Sequence, residues 1–436
     1  MTAPTLRTAA RSLKSLAPVL SALKTETKNS ALLAMAQAVR QNAQALAEAN
    51  QKDLEEAEVV GLAAPLMARL KFQGEKIATA AEGLEALAKL PDPVGLTLSA
   101  RELDKGLELF QVTCPLGVVA MIFESRPDAL VQMAGLALKS GNGVILKGGS
   151  EAKHSNRALA DLLHATGVSA GLPRGWLFLA ETREDVKTLL DLGEFVDLII
   201  PRGSNEFVQY IMKNTTIPVL GHADGLCHVY VDGNADVEKA IPLIIDSKTQ
   251  YVAVCNAVET LLVHRDIAPF LLPPLRMALE ARAVELRGDA ETRKFLPGIV
   301  EAVEQDWETE YLDLILSIKV VGSLEEAITH INTYGSRHTD AIVTEDRAAA
   351  ERFMNAVDSA NVFWNASTRF ADGFRYGLGA EVGVSTAKIH ARGPVGLEGL
   401  VIYKWKLYGH GQVVAHYSGS DPKPFTHREL PAGGYR

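Results

Sequence analysis

Residues 117–151 read GVVAMIFESRPDALVQMAGLALKSGNGVILKGGSE. Two short apolar runs, 118–123 and 144–147, bracket a stretch of helical spacing, and the second run ends on Lys147, Gly148, Gly149 and Ser150. Strand, helix and strand in so few residues make a βαβ unit, and repeated units of this kind build a parallel sheet covered on both faces. Runs at 176–180 and 196–201 repeat the pattern. The region therefore reads as a doubly wound α/β domain, whose ligands sit beyond the carboxyl ends of the strands. Lys147 falls at such an end. Its Gly-Gly-Ser junction offers free amides before a helix start, a geometry that suits an anion and equally suits a plain turn.

Upstream, residues 5–90 are rich in Ala, Leu, Glu and Lys with apolar spacing near 3.6, which predicts consecutive helices broken at Gly61 and Gly74. Pro91 and Pro93 end them. Residues 98–113 form two short runs around Asp104-Lys105-Gly106, the chemistry of a hairpin turn. Downstream, HVYVD from His228 and ETLLVH from Glu259, with a helix over 235–247 between them and another run at 341–344, predict a second α/β domain.

The chain has 436 residues, a formal charge of −9 and 47% hydrophobic residues, which excludes disordered, collagen-like and disulfide-scaffold classes. A negative total argues against a nucleic-acid surface, so an anionic substrate needs a local basic pocket. No apolar run approaches membrane-spanning length. The basic residues Arg7, Arg11, Lys14 and Lys24 have the composition of a transit peptide, but Leu13, Leu16, Leu20 and Leu23 recur at helical spacing, which favours an ordinary helix and a cytoplasmic protein. His222, Cys227 and His228 lack the paired spacing of zinc sites, so no metal is expected. GxGxxG and the P-loop are both absent. Of the three cysteines, Cys114, Cys227 and Cys255, any could be a nucleophile for an electrophilic carbonyl, and spacing alone does not choose among them.

Several dispersed stretches carry a resemblance. They are Pro115-Leu116-Gly117 through Glu124-Ser125-Arg126-Pro127, Lys139-Ser140-Gly141-Asn142 through Ser150, Val196-Asp197 through Pro201-Arg202-Gly203, and Val254-Cys255-Asn256-Ala257 with Glu259 to His264. In order and over nearly the whole length, they resemble the aldehyde dehydrogenase superfamily. Tyr334-Gly335-Ser336-Arg337-His338-Thr339-Asp340, Asn365 through Gly373 and His390 through Gly396 resemble its acyl-phosphate-reducing branch rather than the oxidising enzymes.

The resemblance implies an aldehyde dehydrogenase-like fold of two doubly wound α/β domains plus a β oligomerisation arm. The cofactor domain would comprise 1–96 and 116–223, the catalytic domain 224–395, and the arm 97–115 with 396–436. It implies NADPH-dependent reduction of γ-glutamyl phosphate to glutamate semialdehyde in proline biosynthesis, through a thioester on Cys255 with the Cys255 amide as an oxyanion donor. Lys147, Ser150, Gly203, Ser204 and Glu310 match cofactor-binding positions. Ser150 replaces the carboxylate of NAD-preferring relatives, so a 2′-phosphate is tolerated. Arg126 stands where the superfamily has an oxyanion-donor asparagine, and a guanidinium there suits a phosphate or carboxylate. Arg369, Ser385, Thr386, His390 and Arg392 are further substrate candidates. His222 aligns near the glutamate that activates water in oxidising relatives, a loss that protects a thioester. A homodimer or homotetramer is implied, as is association with glutamate 5-kinase. The competing readings are a semialdehyde-oxidising or CoA-acylating relative, or a catalytically silent scaffold.

Overall fold

The computed structural model describes residues 5–221 and 224–431, with residues 64, 65 and 183 as backbone only. Its contacts divide the described chain into two compact units. The first holds the residues up to Gly203, Tyr210–Leu220 and those from Gly396 onward; the second holds Ser204–Gln209 and Gly221–Val395.

The first unit opens with helices Leu6–Ser21, Thr25–Gln41, Ala43–Val59, Ala64–Leu70 and Glu75–Lys89. Gly61 and Gly74 break the run with φ of +69° and +52°, as their left-handed tolerance predicts. Two breaks have no glycine. At one of them Asn42 folds its amide back to the Ala38 carbonyl (2.8 Å) and closes the preceding helix. The helical stripes bury Leu13, Leu20, Leu32, Met35 and Val39 completely or nearly so, each contributing about 2 kcal/mol of transfer free energy.

A hairpin of β1 (Thr97–Asp104) and β2 (Leu107–Pro115) turns at Gly106, φ +71°. Then come β3 (Val118–Phe123), β4 (Gly143–Lys147), β5 (Leu177–Ala180) and β6 (Leu198–Arg202), parallel in the order β5-β4-β3-β6. Every residue of β3 and β4 is buried, which is why both read as unbroken apolar runs. The order reverses between β3 and β6, the point at whose carboxyl ends sheets of this kind ordinarily bind ligands.

The second unit contains β7 (Cys227–Val231), β8 (Val258–His264), β9 (Glu285–Gly288), β10 (Val300–Glu301), β11 (Ile315–Val321), β12 (Thr339–Val343) and β13 (Asn361–Trp364) in one parallel sheet, order β10-β9-β11-β8-β7-β12-β13. Alternation along the strands sends Val229, Val231, Leu261 and Val263 to one apolar core and Tyr230, Leu262 and Ile342 to another. Helices cover both faces. An antiparallel ribbon of β14 (Gly383–Ser385) and β15 (Gly393–Val395) follows.

The chain then returns to the first unit. There β16 (Val401–Tyr408) and β17 (Arg428–Glu429) complete an antiparallel sheet, β16-β2-β1-β17. The doubly wound α/β architecture and the antiparallel arm expected from the sequence are both present. Among the described residues no helix is long and apolar enough to cross a membrane, and no group of three or more His, Cys, Asp or Glu side chains could hold a metal ion.

Candidate active site

The structure separates the three thiols. Cys227, the first residue of β7, is sealed in the core, and burial, reinforced by the charge of Asp340, pushes its thiol well above the ordinary range. Cys114 sits on β2, half-buried, and burial raises it too. Cys255 is half-exposed in the turn between helix Val237–Thr249 and β8. That turn precedes its strand. The thiol therefore stands at the amino edge of the second sheet, where Cys227 pairs with Val258, and not beyond the carboxyl ends where such folds ordinarily bind ligands.

Three contacts fix the turn's backbone. Cys227 Sγ donates to the Cys255 carbonyl at 3.2 Å. Asn256 Nδ2 donates to the Ala371 carbonyl at 2.9 Å. Gly225 lies directly on the turn, where a Cβ would stand 2.2 Å from the Cys255 carbonyl oxygen and 2.4 Å from its Cα. Only glycine allows that approach. Gly225 is held in turn by its neighbour Leu226, whose amide donates to Ser336 Oγ at 2.9 Å.

Arg369 is the cation of this site. It is 8% exposed and its Nε donates to Gln250 Oε1 at 3.0 Å. Burial pushes its pKa down and Arg375 adds to that, while the charge of a Cys255 thiolate pulls it up. Beneath the turn, Lys248 and Glu259 form an ion pair of 2.6 Å with side chains 0% and 1% exposed. Burial pushes the Glu259 carboxyl up to about 7 against the pull of Lys248.

Glu310 lies in the loop before β11, where its Oε2 accepts from Asn205 Nδ2 at 2.5 Å, and the same amide reaches Asp224 at 3.1 Å. His222 lies outside the described residues. Ser385 is fully buried with its hydroxyl accepting from the Ala387 amide (3.2 Å), so the fold's own corner occupies it. Thr386 and the exposed His390, at φ +76°, lie on the turn between β14 and β15. Arg392, at the end of that turn, is tied to Asp358 at 3.1 Å, a carboxylate that Lys388 also reaches at 2.7 Å.

In the first unit, Lys147 ends β4 nearly buried, its ammonium on the Gly148 carbonyl. A Cβ at Gly148 would meet the Asn156 amide at 2.0 Å, and one at Gly149 the Glu151 carboxylate at 1.9 Å. Ser150 is exposed and starts a 3₁₀ turn leading into helix Lys153–Ser169. Glu151 accepts from the amide and hydroxyl of Ser125 at 2.6 and 2.7 Å. This ties the loop after β4 to the loop after β3, where Ser125 sits at φ +43°. Arg126 follows, exposed, paired with Asp128 at 2.9 Å at the start of helix Pro127–Lys139. Gly203 is exposed after β6, and Ser204, the first residue of the second unit, is exposed too, its Oγ accepting from the Phe207 amide at 3.4 Å.

Sequence reading did not single out Gly225, Asn205, Gln250 or the Lys248–Glu259 pair. Lys248 and Glu259 flank Cys255 at short range, a signal that was available. Gly225 and Asn205 act across the fold, and nothing local marks them.

A parallel-sheet unit with a lysine and glycines at a strand end, and a second carrying a half-exposed thiol in the turn before a central strand, fit the aldehyde dehydrogenase class. Residues 1–293 match the pattern of the aldehyde dehydrogenase family. A relative from Pelotomaculum thermopropionicum named gamma-glutamyl phosphate reductase is 58% identical, over 97% of this chain and 96% of that protein. The crystal structure of gamma-glutamyl phosphate reductase from Thermotoga maritima superposes with a TM-score of 0.91 at 39% identity, covering 93% of this chain and 98% of that one. An acetylating aldehyde dehydrogenase from Geobacillus thermoglucosidasius, 19% identical with a TM-score of 0.62, shares the fold. The chain belongs to the aldehyde dehydrogenase family, in its γ-glutamyl phosphate reductase branch. That family implies a nicotinamide cofactor. The donor set fits one: an ammonium, a serine hydroxyl and the amides of a helix start are the groups that hold phosphates.

Proposed function

We propose that the protein reduces γ-glutamyl phosphate to glutamate 5-semialdehyde with release of phosphate, using NADPH, in proline biosynthesis. One observation carries the reading: in a chain so close to proteins named for this reaction, the one half-exposed thiol outside the arm sits in a turn whose neighbours Gln250 and Asn256 are bonded to Arg369 and Ala371.

The chemistry follows from the residues. Cys255 Sγ, as thiolate, attacks the acyl carbon of the substrate, and the oxygen that becomes negative is placed to meet the Cys255 amide. When the carbonyl re-forms, the carbon–oxygen bond to phosphate breaks and a thioester remains on the sulfur. NADPH, when bound, supplies the hydride that reduces such a thioester. The resulting thiohemiacetal releases the aldehyde as its hydroxyl proton leaves, and the thiolate is restored. Arg369 stabilises the thiolate between cycles. Lys147, Ser150, Gly203 and Ser204 hold the cofactor's phosphates and ribose, with a hydroxyl at position 150 where a carboxylate would repel a 2′-phosphate. Glu310 takes the nicotinamide ribose. Arg126 binds the leaving phosphate or the substrate carboxylate, with Thr386 and His390 as polar contacts. Arg392 and Ser385 shape that turn through their own bonds.

Glu259 does not serve as a water-activating base, because one oxygen takes Lys248 in a buried ion pair and the other takes the Leu312 amide. That favours the reductase over an oxidising relative. The antiparallel arm joins subunits into a homodimer or homotetramer, and glutamate 5-kinase, the source of a labile acyl phosphate, is the proposed further partner. The protein works in the cytoplasm without a metal.

The test runs the reaction backward. Glutamate semialdehyde with phosphate should reduce NADP, with strict dependence on phosphate, and Cys255→Ala should abolish it. Activity indifferent to phosphate would shift the assignment to the oxidising enzymes, and activity surviving in Cys255→Ala would remove the thioester.

A further inference from the structure

We infer that the buried Lys248–Glu259 pair is a positioning device that holds the nucleophilic turn and the Glu310 loop in one fixed arrangement; this rests on the roles given above to Cys255 and Glu310.

The geometry is a clamp around the sulfur. Lys248 lies in the last turn of helix Val237–Thr249 and Glu259 is the second residue of β8, so the pair spans the base of the loop that carries Cys255. Lys248 Nζ donates to Glu259 Oε2 at 2.6 Å, with both side chains out of water. In that setting no water can replace either partner, and widening the loop separates two charges in a medium that screens them poorly. Apolar side chains of the same volume would pack there as well or better. They would not fix a distance.

The second carboxylate oxygen extends the clamp. Glu259 Oε1 accepts from the Leu312 amide at 3.3 Å, and Leu312 stands at φ +53°, a left-handed conformation that a leucine adopts only when its surroundings impose it. Two residues earlier, Glu310 points its carboxylate at Asn205. One carboxylate therefore sets both the turn of the nucleophile and the loop of the residue that takes the cofactor's ribose. The hydride acceptor and the group that orients its donor share one anchor, and lost registration of this kind lowers the rate of the reaction step more than the binding of substrate.

The test uses the intact enzyme and two variants. In K248M/E259L, which removes both charges at similar volume, kcat should fall at least tenfold with KM for glutamate semialdehyde and for phosphate within twofold. The dissociation constant of NADPH, read by its fluorescence, should rise about fivefold. Glu259→Gln keeps an oxygen for Lys248 but turns an amide toward Leu312, so it should weaken NADPH while leaving alkylation of Cys255 by iodoacetamide near the wild-type rate. In the double variant that alkylation rate should change threefold or more. Wild-type kcat and NADPH affinity in either folded variant overturns the proposal. Should the wild-type enzyme itself lack phosphate-dependent activity, the proposed reaction fails instead, and the alkylation rates still decide on the clamp, an unchanged rate in the double variant sinking it.

Discussion

Arg369 is 8% exposed, so it has given up most of its water, and among the described residues its side chain regains one hydrogen bond, donated to the neutral Gln250. Such a group stays charged at a steep desolvation cost, which falls when an anion stands nearby. The acidic groups that act on it in this way are Cys255, Asp246 and Asp372. Replacing Arg369 with glutamine should therefore slow alkylation of Cys255 at pH 7 by roughly three- to tenfold, with Arg369→Lys recovering part of the loss. Iodoacetamide kinetics on the two variants would measure it, and an unchanged rate would remove Arg369 from the site. Cys255 and Arg369 were both named from sequence. Their proximity was not legible there, because 114 positions separate them and only the return of the chain after β13 brings residues 367–371 against the turn.

At the scale of elements, β16 is the feature that demands a partner. It pairs with β2 from Val401 to Tyr408 and is the edge of its sheet, yet Ile402, Tyr403, Trp405, Leu407 and Tyr408 are all exposed. A long apolar edge strand left open in solution is an aggregation hazard, and folded proteins cover it. Trp405→Lys should shift the protein toward monomer, seen by sedimentation velocity, with its circular dichroism unchanged. A variant that keeps the wild-type sedimentation coefficient would remove this strand from the subunit contact. Motif residues that look functional in sequence do quieter work nearby. Asn142 accepts from the Gly117 amide and donates to Ser140 Oγ and the Leu400 carbonyl, each at 2.8 Å. Asp197 takes Lys14 at 2.6 Å and the Val118 amide at 2.8 Å. Both join elements of the first unit distant in sequence.

At the scale of the whole molecule, the second unit carries a pH liability. His330 is 4% exposed, and among the described residues neither of its ring nitrogens has a hydrogen-bond partner. Burial, with His228 adding to it, pushes its pKa down from 6.5 to about 3. The unfolded chain thus binds a proton that the folded one refuses. Stability from this group is complete well above pH 6.5 and drains away as the pH falls toward 3, amounting to about 1.6 kcal/mol between pH 6.5 and 5. Urea titrations at those two pH values should show His330→Phe losing less stability than wild type. Parallel losses would refute the assignment.

What the residues alone determined was the order of parts: helices broken at Gly61 and Gly74, a hairpin at Gly106, two runs of alternating strand and helix, and a set of reactive side chains to weigh. Local spacing carries that information because turn chemistry and apolar periodicity are short-range properties of the chain. The choice of Cys255 over Cys227, the burial of Ser385, the pairing of Arg392 with Asp358 and the backbone contact that only Gly225 permits were decided by the tertiary structure. Exposure and distance across a folded sheet depend on which segments return to meet one another, and no local pattern encodes that.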